Sequence, residues 1–374
     1  MNLTLLRNDI GFADIAQTPN QRAAAGALGA VGSTGPLYSA LVTLDAASAR
    51  SAFDQLSGES YASTKTALID DSRYVRDAIN RHLIGASNGA DGVQNSSADG
   101  VTAWTSAWGY SGDHDSNGNA ARLVDNGGGL LVGADLAVGS NTRFGAVVGY
   151  GENTADVSDR NASARTDSTS LGIYGSTSFG AFALRGGADY AWQDVDSTRR
   201  IDFGTYTDRL SADYHARTAQ AFVEGGYRID VSQSQQLEPF LNLARVQLQT
   251  DGVRESGGAA ALDVAGDHTD VNTATLGLRD TWLIDSAAGG IRTYASLGFQ
   301  QGWGDLSPTT SMRFASGSES FAISGVPVAQ HALAANVGLS FPIARNATVD
   351  ASYLGQFASH AQDQAVRVSL QVRF

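Results

Sequence analysis

From residue 101 to residue 374 the chain repeatedly alternates apolar and polar side chains with a period of two. Successive side chains on a strand point to opposite faces, so each run reads as a strand with one hydrocarbon face and one polar face. The last ten residues, AVRVSLQVRF, show this most clearly. Val366, Val368, Leu370, Val372 and Phe374 share one face, and Arg367, Ser369, Gln371 and Arg373 share the other. The same grammar predicts strands over 101–112, 127–139, 142–151, 167–180, 181–192, 218–230, 237–249, 271–283, 291–303, 329–341, 347–358 and 363–374. That makes about twelve strands, an even number. The run at 237–249 is a strand whose faces the alternation does not assign.

A single such strand would suit a soluble sandwich. Two features of the whole set point instead to a transmembrane barrel. The polar faces carry charges of both signs: Asp135, Arg185, Asp189, Glu224, Arg228, Arg292, Asp350 and Arg367. An apolar core does not tolerate so many ions, whereas a water-filled lumen does, and the other face then meets lipid. The connections also alternate in length. Segments 113–126, 152–166, 193–217, 250–270 and 304–328 read as long polar loops. Those near 139–141, 180–181, 231–236, 285–290 and 342–346 read as short turns, and 359–363 is one short outer hairpin. Outer-membrane barrels place long loops outside and short turns in the periplasm. Trp104, Trp108, Tyr150, Trp192, Trp282, Trp303 and Phe374 lie near strand ends, where an aromatic girdle would sit.

Residues 1–98 follow a helical grammar. Segment 21–32 is an alanine-rich, glycine-interrupted helix, and 44–58 is a helix closed by Gly58. The longest helix is predicted over about 60–84, with Ser57 as N-cap and Glu59 in its first turn. It would be about 37 Å long. Its surface is mostly polar and bears Asp70, Asp71, Arg73, Arg76, Asp77 and Arg81, with Asp–Arg spacings of three and four that could pair along the helix. Leu68, Val75, Ile79 and Leu83 trace a thin apolar stripe. Segment 87–100 reads as a flexible break. A lumen of about twelve strands is narrow and could hold one helix.

Composition narrows the chemistry. The chain has no cysteine, which excludes disulfides and thiolate sites. The net charge of −13 argues against a nucleic-acid partner. Of 25 cationic residues only Lys65 is a lysine. No apolar stretch is long enough for a transmembrane helix. The N-terminal MNLTLLRN lacks the pattern of a signal peptide.

The segments QTPNQRAAAGAL (17–28) and LSGESYASTKTALIDDSRYVRDA (56–78), the strand pattern and the terminal Phe resemble the translocator domain of autotransporters, the type V secretion proteins. The resemblance covers essentially the whole chain. It implies an all-β transmembrane barrel of about 12 antiparallel strands, preceded by an N-terminal helical segment that includes a helix in the lumen. The expected division is 1–58 as passenger end and helical linker, 59–100 as pore-spanning helix and turn, and 101–374 as barrel. MNLTLLRN would be the tail of a passenger, and the chain the C-terminal end of a longer precursor. The function implied is export and surface anchoring of that passenger in the Gram-negative outer membrane, without enzymatic activity, cofactor or metal. The implied partners are the passenger, outer-membrane lipid, periplasmic chaperones and the barrel-assembly machinery. That machinery would read Val366, Val368, Leu370, Val372 and Phe374 as an assembly signal. Some family members cut themselves in the pore at an asparagine, often in an Asn-Asn pair. Near the pore helix only isolated Asn80 and Asn88 occur, so self-cleavage is not expected.

Other motifs carry less. GESYA (58–62) approaches a G-x-S-x-G nucleophile elbow but opens a helix and has no partnered histidine. The six histidines lack metal-ligand spacing. Asp113, Asp115 and Asn117 mimic a calcium loop without its sixth-position Gly or twelfth-position Glu. The alternatives to a translocator are a passive porin, which leaves the helix at 60–84 unexplained, and an outer-membrane hydrolase built on Ser60.

Overall fold

A computed structural model describes residues 10–30, 35–87, 100–284 and 290–374. The segment 1–8, most of the break at 87–100 and most of the turn at 285–290 therefore lie outside the described residues. Twelve long strands form the barrel: β1 Val101–His114, β2 Leu123–Val138, β3 Thr142–Val157, β4 Ala162–Phe179, β5 Phe182–Phe203, β6 Tyr206–Tyr227, β7 Gln235–Thr250, β8 Asp267–Ile284, β9 Ile291–Gly304, β10 His331–Ala344, β11 Ala347–Phe357 and β12 Ala361–Arg373. Each pairs antiparallel with its neighbours in sequence. The β1–β12 pairing, from Thr102 opposite Arg373 to His114 opposite Ala361, closes the cylinder. Closure leaves no open edge, so every strand keeps its ladder partners in lipid.

Among the described residues five helices precede β1: α1 Phe12–Ile15, α2 Pro19–Ala30, α3 Pro36–Leu41, α4 Ala46–Leu56 and α5 Glu59–Ser87. Asp45 caps α4 by accepting from the Ser48 N–H at 2.8 Å. Ala49, Ala52, Phe53 and Leu56, spaced at helical intervals, form its buried stripe. Gly58 adopts φ +69°, the left-handed conformation that ends α4 and lets α5 start at once. Ser57 is the last residue of that turn. Its hydroxyl accepts from the Glu59 N–H at 3.3 Å, which opens α5.

The alternation holds in space, but its phase changes along single strands. On β5, Leu184, Tyr190 and Trp192 are exposed on the outer face, and on β6 so are Val223 and Tyr227. A few residues further from the short turns, Val195, Ile201 and Phe203 on β5 and Leu210, Ala212 and Tyr214 on β6 point inward and are buried. Their outward neighbours, Asp194, Asp196, Arg200, Asp202 and Asp213, are exposed. On β7 the switch falls between Leu243, which faces outward, and Val246, which faces inward. This is why no single face could be assigned to 237–249. Where the outer surface meets hydrocarbon, apolar side chains belong outside. Where it meets water, they belong inside.

The segments expected as long loops are thus largely ordered. Within 193–217, β5 and β6 continue to a two-residue turn at Gly204–Thr205, with Gly204 at φ +57°. Segments 250–270 and 304–328 contribute four short strands, Val253–Arg254, Leu262–Val264, Thr309–Phe314 and Phe321–Ser324, in a separate small sheet. These walls enclose one apolar core above the membrane level. Leu28, Leu41, Phe53 and Leu56 of the helices pack there with Ile201, Leu210, Leu262 and Phe314 of the wall. Helices α1–α4 therefore cap the barrel mouth.

The girdle is smaller than the sequence suggests. Tyr150, Trp192, Trp282, Trp303 and Phe374 face outward, but Trp104 lies in the lumen core with Leu131, Phe222 and Ile79 of α5. Trp108 also packs against that cluster. Both sit at even positions of β1, the inward phase of that strand. Gly187, in the middle of β5, makes room for a wall aromatic and not for the helix. A Cβ on Gly187 would lie 2.9 Å from the Phe222 ring. Close approach to the helix occurs at Gly325, where a Cβ would come within 2.5 Å of the Ala62 backbone.

Candidate functional site: the helix-filled lumen

The polar inner wall meets α5 along its length. Helix α5 is 29 residues long, about 44 Å at 1.5 Å per residue. Its first half lies in the surface section. There Glu59 accepts from Arg160 at 2.9 Å and from the Ala121 N–H at 2.6 Å. Burial pushes the Glu59 carboxyl above its usual range, opposed by Arg160. Tyr61 donates to Glu255 at 2.9 Å, and Glu255 holds Arg199 through two contacts at 2.6 and 2.8 Å. Lys65 is buried, 3.1 Å from Asp267 and 2.7 Å from the Thr309 carbonyl. Burial lowers its ammonium pKa, opposed by Asp267. Ser60 lies in the first turn of α5, and its hydroxyl has no hydrogen-bond partner among the described residues. No nucleophile–base pair forms there.

The second half descends from just above the lipid, at Asp70 and Arg73, to membrane depth. Arg73 pairs with Asp363 of β12 and reaches Gln356 of β11, and Tyr74 donates to the same Asp363. Arg76 donates to Gln220 of β6 at 3.0 Å. Arg81 contacts Asp350 of β11 at 2.6 Å and lies over the Tyr294 ring, 3.4 Å from its centre. Asp70 lies 3.3 Å from His114 of β1. Asp77 faces the remaining cavity. Partners thus come from β1, β6, β11 and β12, on different sides of the cylinder, which places the helix inside it. The arginines reach wall groups and do not pair with the aspartates one turn away. These groups are buried, so the helix–wall pairs are desolvated.

One strong contact was invisible in sequence. His82 lies 2.5 Å from Asp135 of β2, which Arg143 also contacts at 2.5 Å, and its ring stacks on Trp104 at 4.7 Å. A lone histidine has no spacing signal. Beside the helix, Arg185 and Arg279 share Glu224 and Glu238 at 2.6–3.2 Å. Arg185 is only 1% exposed. Each charge in this quartet is answered by two of the opposite sign, which is how a wall in contact with lipid holds ions inside.

The helix lies off-centre. Val75, Ile79 and Leu83 pack on the β1–β7 wall with Leu131, Val147, Phe222 and Ala244. A cavity of about 120 Å³ remains towards β8–β11, lined among others by Asn80, Arg279, Asn336 and Gln356. Among the described residues no group of His, Cys, Asp and Glu could hold a metal. On β12, Val366, Val368 and Phe374 are exposed on the outer face, Leu370 and Val372 are partly exposed, and Arg367 is buried in the lumen.

Comparison with known proteins follows the same lines. The family model "Autotransporter beta-domain" matches residues 103–354. Two extracellular serine proteases of Serratia marcescens are similar, at 35% identity over 342 residues and 36% over 326. These alignments cover 91% and 86% of the chain but 32% and 30% of the relatives, so the chain spans about a third of their length. In fold, the chain is similar to the translocator domain of autotransporter NalP from Neisseria meningitidis, with TM-score 0.63 and 19% identity, covering 82% of this chain and 98% of that one. It is also similar to the β-domain of the Bordetella autotransporter BrkA, with TM-score 0.52 and 18% identity, covering 74% of this chain and all of that one.

Proposed function

The chain belongs to the autotransporter β-domain family and is an outer-membrane translocator of a Gram-negative bacterium, and from that premise we propose how it holds and delivers its passenger. The β-domain itself is not an enzyme. Residues 101–374 form the barrel, 59–100 carry the chain back from the cell surface to the periplasmic end of β1, and 1–58 join this unit to the passenger. The observation that carries this reading is the course of α5. Its N-terminal end, through Tyr61 and Lys65, is anchored in the surface section, while His82 bonds Asp135, whose wall neighbour Thr102 is the second residue of β1. A chain that enters the lumen from outside and leaves it at β1 fits the state after export.

Asp70, Arg73, Arg76 and Arg81 fix the helix to the wall, and Asp71 and Asp77 supply its remaining polar face. The passenger is an extracellular hydrolase related to the serine proteases of the similar proteins. Periplasmic chaperones deliver the unfolded barrel, and the assembly machinery reads the outward row Val366, Val368, Leu370, Val372 and Phe374. Fusing a folded reporter ahead of residue 1 tests the translocation reading. Protease added to intact cells should remove the reporter, and deletion of 59–87 should abolish its exposure. A reporter that stays protected, or one still exposed without the helix, would contradict it.

A further inference from the structure

At the outer end of the lumen a row of inward side chains surrounds the middle of α5. Gly112 of β1 lies opposite Asp125 of β2 on one side and Asp363 of β12 on the other. Because Gly112 has no side chain, the Asp125 carboxylate leans across it, in the space a Cβ would fill. Two carboxylates, from the strands on either side of β1, therefore flank one glycine. Asp70 of α5 sits 3.3 Å from His114, two residues above Gly112, and Asp71 belongs to the same group. The opposing cations are few. Arg73 is committed to Asp363, Gln356 and the Tyr74 hydroxyl, and His114 is buried. Tyr110 completes the wall and accepts from Asn153.

Asp125 is fully buried, and among the described residues neither of its oxygens has a hydrogen-bond partner. A buried, unpartnered carboxylate among three others is not stable in the charged form. The outward residues at this height are Ser111, Asp113, Asn126, Gln362 and Gln364, all polar, so the cluster stands above the lipid.

We propose that Asp125, Asp70 and Asp71 form a proton-operated latch, which holds the outer half of α5 against the wall when protonated and releases it when ionised. Burial first, with the neighbouring carboxylates, raises Asp70, Asp71 and Asp125 to about 7, opposed by Arg73 and Arg76 at Asp70, by a hydrogen bond with Tyr110 and by Arg73 at Asp71, and by His114 at Asp125. The sign follows from linkage. The docked helix binds protons that the released helix, with carboxylates near 4, gives up. Docking is therefore fully favoured below about pH 4, weakens between about pH 4 and pH 7, and changes no further once the docked carboxylates have ionised too. His114 works in the opposite direction. Burial lowers its pKa, so it favours docking once neutral and opposes it only in acid. With three carboxylates against one imidazole, the net window for release is the rise from about pH 4 to about pH 7.

The test uses the whole chain in planar bilayers, with conductance recorded from pH 5.5 to pH 9. Opening should increase up to tenfold per pH unit between pH 5.5 and about 7 for one coupled proton, and level off above about pH 8. Asp125→Asn should flatten the profile, and Asp71→Asn provides a second variant if the first fails to assemble. Heat-modifiability on gels identifies barrels that assemble. Conductance independent of pH in the parent, or an unchanged profile in an assembled Asp125→Asn or Asp71→Asn barrel, would overturn the latch. Neither result bears on passenger exposure, so the translocation reading stands or falls separately.

Discussion

At membrane depth the wall of this barrel is hydrocarbon outside and ionic inside. A few residues higher, the same strands are ionic outside and hydrocarbon inside. On β7, Leu243 faces lipid and Val246 faces the capped core, with no break in the ladder between them. The difference teaches that the strand backbone is indifferent to its surroundings and that side chains alone set the boundary of the bilayer. It also divides α5 into two parts. The upper part is held by a mixed apolar and polar core, and the lower part by desolvated ion pairs around an apolar strip.

The largest effect should come from breaking an ionic interior. Arg185→Ala leaves Glu224 and Glu238 with Arg279 alone, and should cost about 3–5 kcal/mol. The unfolding midpoint on heat-modifiability gels reads this, and adding Glu238→Gln should restore part of the loss. Of similar or slightly smaller size is Phe53→Ala in the cap, at about 3–4 kcal/mol, because it leaves a cavity in an apolar core. That loss belongs to the surface section. Added protease should cut the cap while the membrane barrel remains heat-modifiable. If both sections melt together, the two are not energetically separable.

The comparison between sections sharpens with one substitution on each outer face. Val223→Arg places a charge against lipid and should cost about 2–4 kcal/mol near mid-membrane. Gln247→Arg, on the same face above the boundary, should stay within about 0.5 kcal/mol. Equal costs would mean that the boundary is misplaced.

The number of strands, their antiparallel order and the lumen helix were legible in the sequence, because period-two alternation and a long polar helix are local signals. The surface section was not. Segment 193–217 looks like a loop to a reader expecting one phase throughout, since its apolar residues fall on the opposite face from those of 181–192. The contacts of His82, Glu238 and Arg279 were also hidden, because each depends on a partner from a distant strand. The inward Trp104 shows that position near a strand end does not fix orientation, whereas odd or even place in the alternation does.

The smallest expected change in stability concerns the end of the chain. Phe374 is 77% exposed. Phe374→Asp should change the melting of assembled barrels by about 1 kcal/mol or less, since the residue lies at the membrane edge. Pulse-labelled cells should nevertheless show slower assembly. Normal assembly would remove the role of Phe374 as a signal.

The central claim is that α5 crosses the lumen, and its most direct test is proximity in intact cells. Arg76 meets Gln220 at 3.0 Å. The chain has no native cysteine, so Arg76→Cys and Gln220→Cys together give one defined pair. A short bifunctional thiol reagent should link them in assembled barrels, and a bulky reagent added outside should leave residue 76 unlabelled. Free external labelling at 76 without the crosslink would place the helix outside the barrel and contradict the account.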